Sequence, residues 1–186
     1  MRKLKVQMQI TLDGFVASPD GGQDWVWISG FDPVGFQKIV ELAESSDTLL
    51  LGRKMSREFI DHWENMLTQD GNPVQHLAPI LVNMRKIVFS GTETSIAGRN
   101  VSVENGDLAT AVRALKEEDG KDILVYGGAE FVRSLINANL VDEYNLVVNP
   151  VAIGSGMPIF TGRNVMKLVS STPFKSGKIL NTYVPV

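Results

Sequence analysis

Apolar and polar residues alternate from Leu4 to Ile10 (Leu-Lys-Val-Gln-Met-Gln-Ile), the period of a β-strand with one polar face. The period then lengthens. Asp32-Pro33 pairs a capping residue with a proline suited to the first helical position, and Phe36, Ile39, Val40 and Ala43 follow as one helical stripe. Phe59, Ile60 and Trp63 mark a second helix from about Ser56, and Leu108, Ala111, Val112 and Leu115 mark one that stops near Gly120. Phe131, Val132, Leu135 and Ile136 define another, and 73–83 reads as a short helix limited by Pro79. Short runs at 49–51, 86–89 and 123–126, apolar except for Lys86, are expected as buried strands, with a further short strand at Val101 and Val103. Residues 142–153 read as one long strand whose Pro150 implies an edge or a bulge. The segments 165–171 and 178–184 read as a closing pair around Gly177.

Strands alternate with helices through the middle, and the last third is mostly strand. This predicts one α/β domain over residues 1–186, with a parallel centre and an antiparallel edge. The composition, 44% apolar and 21% charged, suits a globular core, and a net charge of −3 gives no electrostatic case for nucleic acid. The absence of cysteine excludes disulfides, thiolate zinc sites and cysteine nucleophiles, and two histidines argue against a multi-histidine metal site. Gln7, Gln9, Thr11 and Asp13 break the start of the chain before it could form a signal-peptide apolar core, and no run is long enough to cross a membrane. A soluble cytoplasmic protein is expected.

Three of the buried strands end in loops of related chemistry. One ends in Gly52-Arg53-Lys54, one in Ser90-Gly91-Thr92 and one in Gly127-Gly128 ahead of a helix. Ligands of open α/β sheets collect at the carboxyl ends of strands, and glycines there let a phosphate approach the free N–H groups of a helix start. Each loop alone also reads as an ordinary turn. Together they favour a nucleotide. Trp25 and Trp27 either line a cleft or cover the core.

Leu50-Leu51-Gly52-Arg53-Lys54, Ile87-Val88-Phe89-Ser90 and Val125-Tyr126-Gly127-Gly128-Ala129-Glu130 resemble the dihydrofolate reductase superfamily in order and context. The closer resemblance is to the RibD C-terminal domain family, the reductase domain of bacterial riboflavin biosynthesis. Residues 11–17, 140–143 and 149–160 carry it, the last most specifically. The resemblance implies a dihydrofolate reductase-like, three-layer fold with a mixed, mainly parallel sheet of about eight strands. It also implies an NADPH-dependent reductase similar to 5-amino-6-(5-phosphoribosylamino)uracil reductase, with a small heterocyclic substrate and a homodimer; the apolar segment 144–153 reads either as a contributor to that dimer or as core. Dihydrofolate-type reduction and NADPH binding without turnover are the alternatives.

By that resemblance Gly52, Arg53 and Lys54 meet the cofactor phosphates, Arg53 near the 2′-phosphate, with Ser90 and Gly91 at the same end. Tyr126, Gly127, Gly128, Ala129, Glu130 and Phe131 wrap the pyrophosphate, and the Gly-Gly bond is often cis. Val16 and Ala17 lie beside the nicotinamide, with Gln9 on the adjoining strand. Trp25, Trp27 and Phe31 are the substrate-side candidates, and Asp32 is the candidate catalytic carboxylate, with helix capping as its other reading. Asp13 reads as a turn residue. Two departures stand out: Met55 replaces a small hydroxyl residue, and Val125-Tyr126 lacks the acidic residue that usually precedes the glycine motif.

Overall fold

The computed structural model describes residues 1–186. The main sheet has eight strands. In chain order they are β1 (Leu4–Thr11), β3 (Ser46–Gly52), β4 (Arg85–Phe89), β5 (Val101–Glu104), β6 (Asp122–Val125), β7 (Glu143–Asn149), β9 (Met166–Pro173) and β10 (Ile179–Pro185). Their spatial order is β5-β4-β3-β6-β1-β7-β10-β9. Every neighbouring pair from β5 to β7 is parallel, and β10 runs antiparallel to both β7 and β9. Two short strands, β2 (Phe15–Ala17) and β8 (Met157–Pro158), pair as a separate ribbon.

The helices divide by face. Helices α1 (Pro33–Glu44), α2 (Arg53–Met66) and α3 (Ala78–Asn83) cover one side. There Ile39, Val40, Ala43, Ile60 and Leu81 pack with Leu49, Leu51, Val88, Leu124 and Val147 of the sheet. Helices α4 (Leu108–Glu117) and α5 (Ala129–Asn137) cover the other. Val112, Leu115, Val132, Leu135 and Ile136 meet Leu4, Val6, Met8, Ile10, Leu50 and Val125 there. The strand alternation explains the division: Leu49 and Leu51 go one way and Leu50 the other. The expected three-layer, mainly parallel dihydrofolate reductase-like architecture is the one observed.

The polar face of β1 is not a solvent face. Lys5 and Gln7 are buried, and the Lys5 ammonium meets Asp122 at 2.8 Å and Ser45 at 3.1 Å. A central parallel strand has both faces covered, so its polar row must find partners inside.

Several boundaries differ from the sequence expectation. The second helix begins at Arg53 instead of near Ser56, which puts both cations in its first turn. The strand expected at 123–126 stops at Val125. The long strand expected at 142–153 is β7, and it ends at Asn149 because Pro150 offers no N–H to continue the ladder. It is flanked by β1 and β10, so it is no edge, and Tyr144, Leu146 and Val147 lie in the core. Of the segment 144–153, residues 144–149 thus lie inside the sheet, and 150–153 run on beyond it with Pro150 and Ala152 exposed. The segment around Trp25 and Trp27 is a single 3-10 turn, Asp24–Trp27. No helix is long and apolar enough to cross a membrane.

Candidate functional site

The carboxyl ends of β3, β4 and β6 bring the three loops together. Leu50 pairs with Val125 and Gly52 with Phe89, so Gly52, Ser90 and Gly127 emerge side by side. Gly52 is the N-cap of α2 and Gly128 the N-cap of α5, and neither helix has a side-chain cap. Helices α1 and α4 differ, since Asp32 and Asp107 accept from their first-turn amides. Two helix starts with unused N–H groups therefore share one edge of the sheet, each adding partial positive charge there.

The glycines permit this proximity. A Cβ on Gly52 would lie 2.6 Å from the Phe131 Cβ, so only glycine lets β3 pass that close to α5. Gly127 has φ +137°, and the Gly127-Gly128 peptide is cis. Met55 lies beneath the pair, its Sδ 3.3 Å from the position of a Gly127 Cβ. The thioether thus fills space under the glycine turn. Phe131 stacks on Phe89 with ring centroids 5.3 Å apart, which ties α5 to the end of β4.

The charges at this edge are unequal. Lys54 pairs with Glu130 at 2.8 Å across the two helix starts, and that cation holds the Glu130 carboxyl below its usual range. Arg53 is exposed and makes no ion pair. The Ser90 hydroxyl accepts from the amides of Thr92 and Glu93 at 3.1 and 2.8 Å, so it first shapes its own turn, with exposed Gly91 at the tip. The Tyr126 ring packs against Phe59, 5.9 Å between centroids; its hydroxyl is buried without a partner, and burial raises its pKa. Ala129, in the first turn of α5, is half-buried.

A cleft of about 80 Å³ opens on the α1 side of β1 and β7. Gln9 and Val147 form its floor, and its walls include Asp32 and Phe36 on one side and Val26, Trp27, Phe31 and Lys178 on another. Met8, the neighbour of Gln9 on β1, points to the opposite face and reaches within 3.5 Å of the position of a Gly127 Cβ. Trp27 and Phe31 are partly exposed and line the cleft; Trp25 is buried at 3% exposure and does not. Val16 and Ala17 sit in the β2–β8 ribbon, and Arg133 of α5 steadies that ribbon by donating to the Pro158 carbonyl at 2.7 Å.

Asp32 both caps α1 and borders this cleft. One oxygen accepts from Val34 and Gly35 at 3.1 and 2.9 Å, the other from the Ser176 amide at 3.1 Å. The Gly35 amide, then Ser176, hold its carboxyl below the usual range, so it is ionised at neutral pH. Asp13 joins two loops instead of lining the cleft: one oxygen accepts from the Thr11 hydroxyl and the other from the Ile153 and Gly154 amides. Two groups escaped the sequence reading. Asn149 donates to the Gln9 side-chain oxygen at 2.9 Å, and Lys178 is a buried ammonium in the cleft wall. Asn149 lies in the 149–160 motif. Lys178 carried no signal, since its partners are backbone carbonyls.

A mainly parallel, dihydrofolate reductase-like sheet with a glycine-lined strand edge defines the class. Residues 2–180 match the RibD C-terminal domain, and the chain belongs to that family. It is 32% identical to the uncharacterized protein YyaP of Bacillus subtilis, over 98% of this chain and 94% of that one. It is 26% identical to riboflavin biosynthesis protein RibD of Corynebacterium ammoniagenes, over 80% of this chain but only 43% of that protein. Among solved structures, the Thermotoga maritima diaminohydroxyphosphoribosylaminopyrimidine deaminase/5-amino-6-(5-phosphoribosylamino)uracil reductase superposes with a TM-score of 0.69 at 20% identity. That match covers all of this chain and 57% of the Thermotoga one.

Proposed function

We propose that the chain is an NADPH-dependent reductase of the riboflavin-biosynthesis type that acts in the cytoplasm on a small heterocycle. The observation that carries this reading is the pair of glycine-capped helix starts at Gly52 and Gly128, whose first-turn amides have no side-chain acceptor. Backbone donors of that kind suit a pyrophosphate, and the unpaired Arg53 beside them suits a 2′-phosphate. The donor set therefore fits NADPH better than NADH.

In this reading Gly52, Lys54 and residues 128–131 hold the pyrophosphate, and Arg53 with the Ser90–Gly91 turn holds the adenosine end. Met55 and Phe131 support the turn from below. Val16, Ala17 and Gln9 border the nicotinamide. When bound, NADPH supplies the hydride; the protein supplies position and exclusion of water. The heterocycle of the substrate lies in the cleft against Trp27 and Phe31, and the carbon reduced is that of its ribosyl chain. Asp32 is ionised and already accepts three amides, so it acts as a fixed negative charge that sets the cleft wall. It is not a proton donor. Two copies associate through β9, where Val165, Leu168 and Val169 on or beside the strand are exposed.

Titration of the purified protein with NADPH and with NADH, read by tryptophan fluorescence and thermal shift, tests the cofactor half. Tighter binding of NADPH is expected. Oxidation of NADPH in the presence of ribosylaminopyrimidines and pteridines tests the rest. Binding without turnover on any acceptor would leave a nucleotide-binding protein, and no binding of either nucleotide would end the reductase reading.

A further inference from the structure

Lys178 is an unusual group for the wall of a small cleft. The residue is 8% exposed, and its ammonium donates to the carbonyls of Val26 at 2.8 Å and Gly30 at 3.2 Å. Those bonds pin the segment that carries Trp27 and Phe31. An ammonium has three N–H groups, so one remains uncommitted. No carboxylate reaches it as an ion-pair partner; Asp32, the acid of the cleft, spends its oxygens on backbone amides. The Trp27 ring centre is 6.0 Å away, the outer limit of a cation–π contact. Burying a cation costs free energy, and pinning a loop does not by itself require a charge.

A second donor faces the same space. The Asn149 side-chain nitrogen lies 3.1 Å from the Val147 carbonyl and 3.4 Å from that of Ile10, which fixes its orientation. It therefore donates to Gln9, and Gln9 must present its oxygen to Asn149. The NH2 of Gln9 has no protein acceptor and belongs to a residue of the cleft floor. Floor and wall thus each offer a donor; the other polar side chain of the lining, Asp32, already accepts three backbone amides, and the rest is apolar apart from Gly35.

We propose that Lys178 and Gln9 select a ring ligand by its carbonyl or ring-oxyanion oxygens and discriminate against the same ring bearing amino groups in place of those oxygens. Lys178 is the specificity-determining residue, and Asn149 is a positioning residue that acts through Gln9. This rests on the cleft being the substrate side of the reductase. A site with two unsatisfied donors rejects ligands that bring further donors, since the buried N–H groups then stay unpaired.

The test compares two probes of matched shape, pteridine-2,4-dione and 2,4-diaminopteridine, by calorimetry on the full chain with and without NADPH. The dione is expected to bind at least about tenfold tighter. In K178M that ratio collapses toward one through loss of dione affinity. K178Q keeps an NH2 for the Val26 and Gly30 carbonyls and loses the charge; it is expected to lose most of the ratio while keeping the melting temperature. Equal affinities in the wild type would overturn the inference, as would a K178M or K178Q that weakens both probes equally, the signature of a purely structural wall. If K178M does not fold, the wild-type ratio and K178Q decide. NADPH titrated in the same samples separates the two levels: failure of NADPH to bind sinks the reductase reading, whereas loss of probe discrimination with NADPH bound sinks only this one.

Discussion

Gly52→Ala tests the close approach on which the proposed cofactor edge depends. Gly52 has φ −78° and ψ 145°, a conformation open to any residue, so backbone strain is not the cost. The cost is steric. An added Cβ would sit 2.6 Å from the Phe131 Cβ and 3.2 Å from its Cγ. Carbon atoms rest at roughly 3.5–4.0 Å, so β3 and α5 must part by about 1 Å. Overpacking of that kind costs about 1–3 kcal/mol. The displaced groups are the two uncapped helix starts, so NADPH affinity is expected to fall at least about tenfold, equivalent to about 1.4 kcal/mol. Urea unfolding gives the first number and nucleotide titration the second. Gly162→Ala is the control, because it lies outside the site, nothing lies within 4 Å of its added methyl and no more than about 0.5 kcal/mol is expected. A sharper condition follows from which atom is struck. The clash is with the Cβ, which alanine retains, so the Gly52→Ala penalty must persist in a Phe131→Ala background. A Gly52→Ala protein with wild-type unfolding midpoint and NADPH affinity would refute the argument.

Other outcomes follow from individual groups. Arg53→Ala should reduce NADPH affinity by about 10–100-fold, the worth of a charged hydrogen bond, and leave NADH binding nearly unchanged; competitive titration of the two nucleotides reads the ratio. Lys86 is 2% exposed, and its ammonium donates to the carbonyls of Leu81, Val82 and Met84 at 3.0, 2.7 and 2.9 Å. Burial nevertheless pushes its pKa from 10.5 to about 8. Between those values the unfolded chain binds more protons, so stability should rise with pH there and be lost as pH falls through about 8. The full span is at most about 3 kcal/mol, and urea unfolding across this range, with Lys86→Met as the pH-insensitive comparison, measures it. Tyr126→Phe removes a buried hydroxyl that has no partner, so its unfolding free energy should be unchanged or up to about 1 kcal/mol higher. A clear loss there would show that the hydroxyl has a partner in solution.

Much of this molecule is written in its local periods. The stripe Phe36, Ile39, Val40 and Ala43 and the cap Asp32 specify α1 within residues of its observed bounds, because an amphipathic helix states in its own sequence which side is dry. The runs at 49–51 and 86–89 likewise announce strands buried on both faces. The pattern misled where a local signal had a second meaning. Arg53-Lys54 looked like a loop because two cations follow a glycine, yet they open a helix whose start needs no side-chain cap. Residues 150–153 looked like more strand because they are apolar, although Pro150 had already ended the ladder.

The glycine edge and the cleft differ in how far the sequence reveals them, and the reason is the identity of the partners. Gly52, Ser90 and Gly127 each end a strand, so once the strands are placed in one parallel sheet, their meeting follows from register alone. Lys178 meets the carbonyls of Val26 and Gly30, 152 and 148 residues away in the chain. A carbonyl is the same in every residue, so no composition, spacing or motif marks it as an acceptor. Before the fold is known, a lysine ahead of the last strand is indistinguishable from a solvated one. Only its burial, together with its third N–H and the NH2 of Gln9 around one small space, turns it into a statement about which ring atoms the cleft accepts.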